Sequence, residues 1–200
     1  LCLDLSLDYI ALSFIQKPQD IIQLKKIVGN DTAIMSKFEK PLAIERMEEI
    51  LKYSDAAMVA RGDLGVEMPP EEVPIIQKRL LQKCRDLGKP VVVATQMLDS
   101  MINSPSPTRA EASDVASAVF DAADCLMLSA ETAAGNFPIF SVEIMDRIIR
   151  NVENDISYRQ YINSKPVKLE GTTSDAISAA ASQVVNIVSA KAIFTYTRSG

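Results

Sequence analysis

The sequence predicts an α/β fold, part of a TIM (β/α)8 barrel running into a second α/β domain, and three observations carry that expectation. Short apolar runs rich in Val, Ile, Ala and Met recur along the chain, and helical patterns fall between them. The runs start near residues 9, 33, 56, 91 and 125, 23–35 apart, which brackets the roughly 31 residues per unit implied by eight units in about 250 residues. Near-continuous hydrophobicity, rather than strict alternation, is what a parallel strand shows when both of its faces are covered.

The first run, Tyr9 to Ile15, leads to a helical pattern at Pro18 to Val28 that Gly29-Asn30 closes in the manner of a left-handed cap. Ala33 to Phe38 is the second run, followed by a helix at Ala43 to Tyr53. The third, Ala56 to Ala60, enters a glycine-containing turn before a helix at Glu71 to Leu87, which Gly88-Lys89-Pro90 ends. Val91 to Gln96 precedes a helix at Thr108 to Phe120, and Thr108-Arg109-Ala110-Glu111 has capping-box spacing. The fifth run, Cys125 to Ser129, precedes a helix at Ile139 to Glu153. From Asn154 to Gly171 the pattern lapses into polar residues with Lys165-Pro166, the composition of a linker. The expected organisation is therefore a barrel portion over 1–153, a linker over 154–171 and the start of a second domain over 172–200. That start reads as an alanine-rich helix at Thr173 to Ser189 and a strand at Ala192 to Tyr196.

Composition removes several function classes. With 21 Lys and Arg against 26 Asp and Glu, a net charge of -5 and no basic cluster, nucleic acid is not an expected partner. No apolar run approaches the roughly 18 residues needed to cross a bilayer, so no membrane association is expected. Leu1-Cys2-Leu3-Asp4 lacks the features of a signal peptide, which makes a cytoplasmic location the default expectation, and the missing initiator Met suggests a fragment. Cys2, Cys84 and Cys125 are odd in number and widely spaced, so they read as reduced core residues. The chain has no histidine, which excludes Ser-His-Asp and Cys-His catalysis and imidazole metal sites together. Catalysis would have to use Lys, carboxylates, hydroxyls and a hard metal.

Reactive groups of a β/α barrel sit at the carboxyl ends of its strands. Those ends bring up Ser13, then Lys37 with Glu39, Asp63, Thr95 with Gln96, and Ser129 with Glu131. Lys37-Phe38-Glu39 sets a cation and a carboxylate two residues apart, which period-two geometry directs to one side. A solvated ion pair at a strand terminus has the same spacing. In Ala60-Arg61-Gly62-Asp63-Leu64-Gly65 an apolar strand runs into two glycines around an Asp. Glycine permits a tight turn whose amides approach an anion, and Asp offers a hard oxygen ligand to Mg2+ or Mn2+. An ordinary turn with a capping Asp fits those residues as well.

Four long stretches, MVARGDLGVEMPPEEVPIIQKRLLQKC, GKPVVVATQMLDSM, PTRAEASDVASAV and DCLMLSAETAAGNFP, follow one another in the order and spacing of the pyruvate kinase family, and the resemblance covers essentially the whole chain. It implies that the five runs are barrel strands 4 to 8 and that the last segment opens a regulatory-type C-terminal domain. It implies phosphoryl transfer from phosphoenolpyruvate to ADP, giving pyruvate and ATP in glycolysis, with Glu39 and Asp63 as ligands of Mg2+ or Mn2+. Lys37 then lies beside the transferring phosphoryl group and Ser129 in the proton relay. Ser13, Gly62, Asp63 and Thr95 join Lys37 in holding substrate. Thr197, Arg198, Ser199 and Gly200 resemble the start of an effector-phosphate loop. A K+ site outside these residues and a homotetramer for the complete protein also follow from the resemblance, as does inactivity of the 200 residues alone. Ala130 stands where the family has glycine, and Phe38 and Lys40 stand where Ile and Asn are familiar. Arg61, Gln96, Arg109 and Glu131 match motif positions and read as loop-organising or subunit-contact residues. Other readings of the same carboxylates are a metal-dependent aldolase, a phosphomutase, or a non-catalytic structural remnant.

Overall fold

The computed structural model describes residues 5, 7–29, 32–164, 171–188 and 190–196. The chain divides into two compact units, Leu1–Lys165 and Pro166–Gly200.

Five parallel strands form the sheet of the first unit in the order β1-β2-β3-β4-β5: β1 Tyr9–Leu12, β2 Ala33–Phe38, β3 Ala56–Ala60, β4 Val91–Ala94 and β5 Cys125–Met127. Their registers align the strand ends. Leu12 pairs with Ser36, Phe38 with Val59, and Ala60 with Ala94. Ser13, Lys37, Glu39, Arg61 and Thr95 therefore lie along one edge of the sheet. Spatial order equals sequence order, as successive β-α units require.

The helices are α1 Pro18–Val28, α2 Pro41–Glu45, α3 Met47–Tyr53, α4 Arg61–Glu67, α5 Val73–Asp86, α6 Arg109–Phe120, α7 Ala130–Ala133, α8 Pro138–Asn154 and α9 Ile156–Ser164, with a 3-10 turn at Asp99–Ile102. α1 packs on α3, α3 on α5, and α6 on α8. The expected capping box at α6 is present: Glu111 N–H donates to Thr108 Oγ1 (3.2 Å) and Thr108 N–H to Glu111 Oε2 (2.7 Å). Glu111 Oε1 also accepts Ser100 N–H (2.7 Å), so the cap ties the 3-10 turn to the helix.

Four expectations need correction. Ala43 to Tyr53 is two helices, broken where Arg46 leaves helical geometry at φ -99° and ψ 21°. The stretch read as a linker from Asn154 carries α9, whose Tyr158 ring meets Phe120 of α6 edge-on at 5.4 Å. In the second unit, helix α10 (Thr173–Val188) is present, but Ala192 to Tyr196 is not a strand. No described strand of that unit lies beside it, and an unpaired strand has no ladder to satisfy its backbone. Finally, β3 is buried throughout, whereas β2 buries only Ile34, Ser36 and Phe38, and β1 and β5 stay partly exposed. Five strands in open order leave a second sheet face incompletely covered. Cys125 on β5 is exposed for that reason, unlike Cys84, which lies against the α5 core and whose thiol burial pushes up to about 12.

Behind the sheet, Ile21, Ile34, Phe38, Ile50, Leu51, Val59, Leu80 and Val93 are fully buried, and Met97, Leu98 and Met101 extend this core beneath the loop after β4. Gly135 closes that loop's packing. A Cβ there would stand 2.6 Å from the Glu131 carbonyl oxygen and 3.2 Å from Ile102 Cα, both backbone atoms that cannot rotate away. Gly135→Ala is expected to cost about 1–3 kcal/mol of stability, read as a lowered urea midpoint with an unchanged m-value.

Candidate active site at the carboxyl ends of the strands

Lys37 and Glu39 do project to one side, as the spacing of two residues requires. Lys37 Nζ lies 2.6 Å from Glu39 Oε1 and donates to Ser13 Oγ at 2.9 Å, which joins the ends of β1 and β2. The Glu39 side chain is 0% exposed and that of Lys37 is 22% exposed, so the carboxylate is held inside and the ammonium reaches the surface. Glu39 Oε2 accepts Phe14 N–H at 2.7 Å. That bond fixes Phe14 at φ +57°, a left-handed conformation costly for a bulky residue. Glu39 Oε1 is buried and has no hydrogen-bond partner, because the nearby ammonium is within ion-pair range but not in hydrogen-bond geometry. A buried carboxylate oxygen left in that state is costly unless something else occupies its lone pair.

Arg61-Gly62-Asp63 is not the expected turn. Helix α4 starts at Arg61, directly after β3, and Asp63 sits in its first turn, where a carboxylate suits the helix dipole. Asp63 is exposed and makes no side-chain hydrogen bond or ion pair among the described residues. The Gly62 N–H donates to Thr95 Oγ1 at 2.7 Å, and Thr95 Oγ1 donates to the Ala94 carbonyl at 2.6 Å. Thr95 and Gly62 are thus joined directly, and a Cβ at position 62 would crowd Thr95 Oγ1 at 3.3 Å.

Two residues prove to organise these loops. Thr95 and Gln96 both have positive φ, +68° and +53°, uncommon for any residue but glycine and, for the β-branched Thr95, adopted only under external constraint. Arg61, nearly buried, supplies the constraint through Nη2 to the Thr95 and Gln96 carbonyls (2.9 and 2.8 Å), with Asp114 holding Nη1 at 2.8 Å. Glu131, 1% exposed, accepts Leu98 N–H (3.1 Å) on one oxygen and Ser129 N–H (2.8 Å) on the other. It therefore fixes the Ser129 backbone to the loop after β4. Burial, then the charges of Glu131 and Glu111, raise the neighbouring Asp99 carboxyl. Lys40 pairs with Glu67 at 2.6 Å and lies 5.3 Å above the Phe14 ring, linking the end of β2 to the end of α4. Nothing in the sequence pattern marks Phe14 or Lys40 for these roles. Thr197, Arg198, Ser199 and Gly200 lie outside the described residues.

The family model described as pyruvate kinase, barrel domain, matches residues 1–142. The chain belongs to the pyruvate kinase barrel-domain family. Among its relatives, a pyruvate kinase of Methylorubrum extorquens is 53% identical over 193 residues, 96% of this chain and 40% of the relative. A pyruvate kinase of Agrobacterium vitis is 48% identical over 198 residues, 99% of this chain and 41% of its own length. Pyruvate kinase 2 of Synechocystis is 46% identical over 202 residues, 99% of this chain and 33% of its own length. The chain therefore spans about two fifths or less of the relatives it matches. Within the pyruvate kinase barrel domain, the parallel sheet and its strand-end edge are the part that carries the candidate site. Among the described residues no helix is long and apolar enough to cross a membrane.

Proposed function

We propose that the complete protein transfers the phosphoryl group of phosphoenolpyruvate to ADP, and that this chain contributes barrel strands 4 to 8 with most of the acidic and cationic side chains of the site. The observation that carries the reading is the Lys37 ammonium, pinned between Ser13 Oγ and a fully buried Glu39 whose Oε1 lacks a hydrogen-bond partner. A lone solvated ion pair needs neither the burial nor the orphaned oxygen.

Mg2+ or Mn2+ fits these residues. Both offer hard oxygen donors, Glu39 through its orphaned Oε1 and Asp63 through an uncommitted carboxylate at the start of α4. No group of three acidic or thiol ligands exists among the described residues, so substrate and water oxygens would complete the shell, the usual arrangement for Mg2+ at a phosphate. When bound, the ion supplies charge stabilisation to the phosphoryl and enolate oxygens.

Lys37 holds a fixed positive charge against the equatorial phosphoryl oxygens as the bond from phosphorus to the enol oxygen breaks and the ADP oxygen bonds to phosphorus. Thr95 and the Gly62 and Asp63 amides hold the substrate carboxylate, for which the Gly62 N–H turns from Thr95 Oγ1 and the Thr95 hydroxyl proton turns from the Ala94 carbonyl to the carboxylate. Ser129, its backbone set by Glu131, relays a proton to the methylene carbon of the enolate, giving up its hydroxyl proton and taking one from solvent water, so that pyruvate forms. K+ bound by residues elsewhere, a homotetramer, a cytoplasmic location and an effector phosphate at 197–200 belong to the same reading. So does a regulatory-type domain beginning near residue 172.

A coupled assay tests it. The complete protein should form ATP from phosphoenolpyruvate and ADP with Mg2+, and the 200 residues alone should form none, because five strands in open order do not enclose the site. Absence of ATP formation by the complete protein, with aldol cleavage or phosphate migration in its place, would refute the proposal.

A further inference from the structure

At the opposite edge of the sheet, near the amino ends of β4 and β5, a cavity of about 420 Å3 opens between the last turns of α5 and helix α9. Its volume falls in the range of small-molecule sites. Leu81, Val91 and Ile162 give it apolar walls, and Arg85, Asp124 and Tyr158 give it polar ones. Arg85 is the unusual member. Its Nη1 is buried and has no hydrogen-bond partner, and its Nη2 reaches only the Ile162 carbonyl at 3.5 Å, the limit of a hydrogen bond. A guanidinium nitrogen out of water without an acceptor is costly, and such groups in native folds call for an explanation.

The neighbours do not supply one. Asp124, the nearest acidic lining residue in sequence to β5, spends Oδ2 on the Val91 N–H at 2.9 Å and forms no ion pair with Arg85. Lys89, also on the wall, turns its Nζ to the Ser54 carbonyl. The Tyr158 ring is committed edge-on to Phe120. What remains is a planar cationic fork beside aliphatic walls, with an acceptor missing.

We propose that this cavity binds a small organic carboxylate with an aliphatic body, the Arg85 side chain turning its fork from the wall and from the Ile162 carbonyl to take the two oxygens, and the hydrocarbon lying against Leu81, Val91 and Ile162. Bidentate pairing with a carboxylate is the geometry for which a guanidinium is built. A phosphate dianion fits less well, because aliphatic walls would desolvate it and the Asp124 carboxylate at the same cavity would repel it. The site is separate from the strand-end carboxylates and lysine, and the inference stands whether or not the proposed activity does.

Binding is measured on the complete protein by calorimetry with three probes: 4-methylpentanoate, the neutral 4-methylpentanol, and inorganic phosphate. Saturable binding of 4-methylpentanoate is expected, at least about tenfold weaker in Arg85→Met, with the alcohol weaker than the acid by a similar factor. Arg85→Lys should bind the acid with intermediate affinity, since it keeps the charge and loses the fork. Without ligand, Arg85→Met should melt at or above the wild-type temperature, because the orphaned donor is gone. If Arg85→Met does not fold, Arg85→Lys and the alcohol comparison decide the question. No saturable binding of the acid, equal binding by acid and alcohol, binding indifferent to Arg85, or preference for phosphate would each overturn the proposal.

Discussion

Lys37→Met in the complete protein is expected to lower kcat by at least about 10²–10³, the scale for removing one preorganised charge stabiliser. Methionine keeps the length and apolar stem of lysine, so the substitution removes the charge with little change of volume. The ammonium lies 2.9 Å from Ser13 Oγ and 2.6 Å from Glu39 Oε1, and this fixed position is what makes it effective as negative charge develops. KM for phosphoenolpyruvate should change by a smaller factor than kcat, because the stabilised charge grows mainly in the transition state. The variant should also melt at a lower temperature, since it leaves Glu39, 0% exposed, with Phe14 N–H as its remaining partner. Lys37→Arg should not restore activity, since a planar fork does not occupy the place of a compact ammonium. Steady-state kinetics on folded protein decides the matter, and a near-normal kcat would remove Lys37 from the catalytic role.

Local pattern was sufficient wherever local forces set the outcome. β2 and β3 begin and end where apolar runs begin and end, and α1 is framed by Pro18 and Gly29, whose backbone preferences need no partner. The pairing of Lys37 with Glu39 also follows from strand periodicity alone. Helix α4 was not legible, because glycines at 62 and 65 read as a turn. Tertiary contacts override that preference there: Leu64 is fully buried and Arg61 nearly so. The helix at the start of the 154–171 stretch was missed for a similar reason, since α9 is held by Tyr158 and Tyr161 packing on Phe120, not by a strong repeat. Within the site, the motif positions of Arg61 and Glu131 marked them as loop organisers, but not the groups they bind. Arg61 binds carbonyls 34 and 35 residues away, and Glu131 an amide 33 residues away. No spacing rule reaches across separate β-α units. Only the strain of Thr95 and Gln96, seen in three dimensions, explains why a buried arginine is needed beside them.

Glu39→Gln separates the two remaining accounts of the buried carboxylate. On one, Glu39 exists to pin Lys37; on the other, its orphaned Oε1 is also an ion ligand. Glutamine preserves the size of the side chain and an oxygen that can accept Phe14 N–H, but it removes the charge and presents an amide in place of one carboxylate oxygen. If Glu39 is a ligand, Mn2+ titrated by electron paramagnetic resonance in the complete protein should bind at least about 10–100-fold more weakly, since even residues that only orient metal ligands have effects of that size. The Mg2+ concentration needed for half-maximal rate should rise in parallel. Lys37→Met supplies the opposing sign: loss of the ammonium 2.6 Å from Oε1 removes a repulsive charge and a competitor for that oxygen, so Mn2+ should bind as tightly or more tightly while kcat collapses. A carboxylate serving only to hold the lysine predicts no such split, because Mn2+ affinity would then be unchanged in Glu39→Gln, and the two variants would share one defect in kcat.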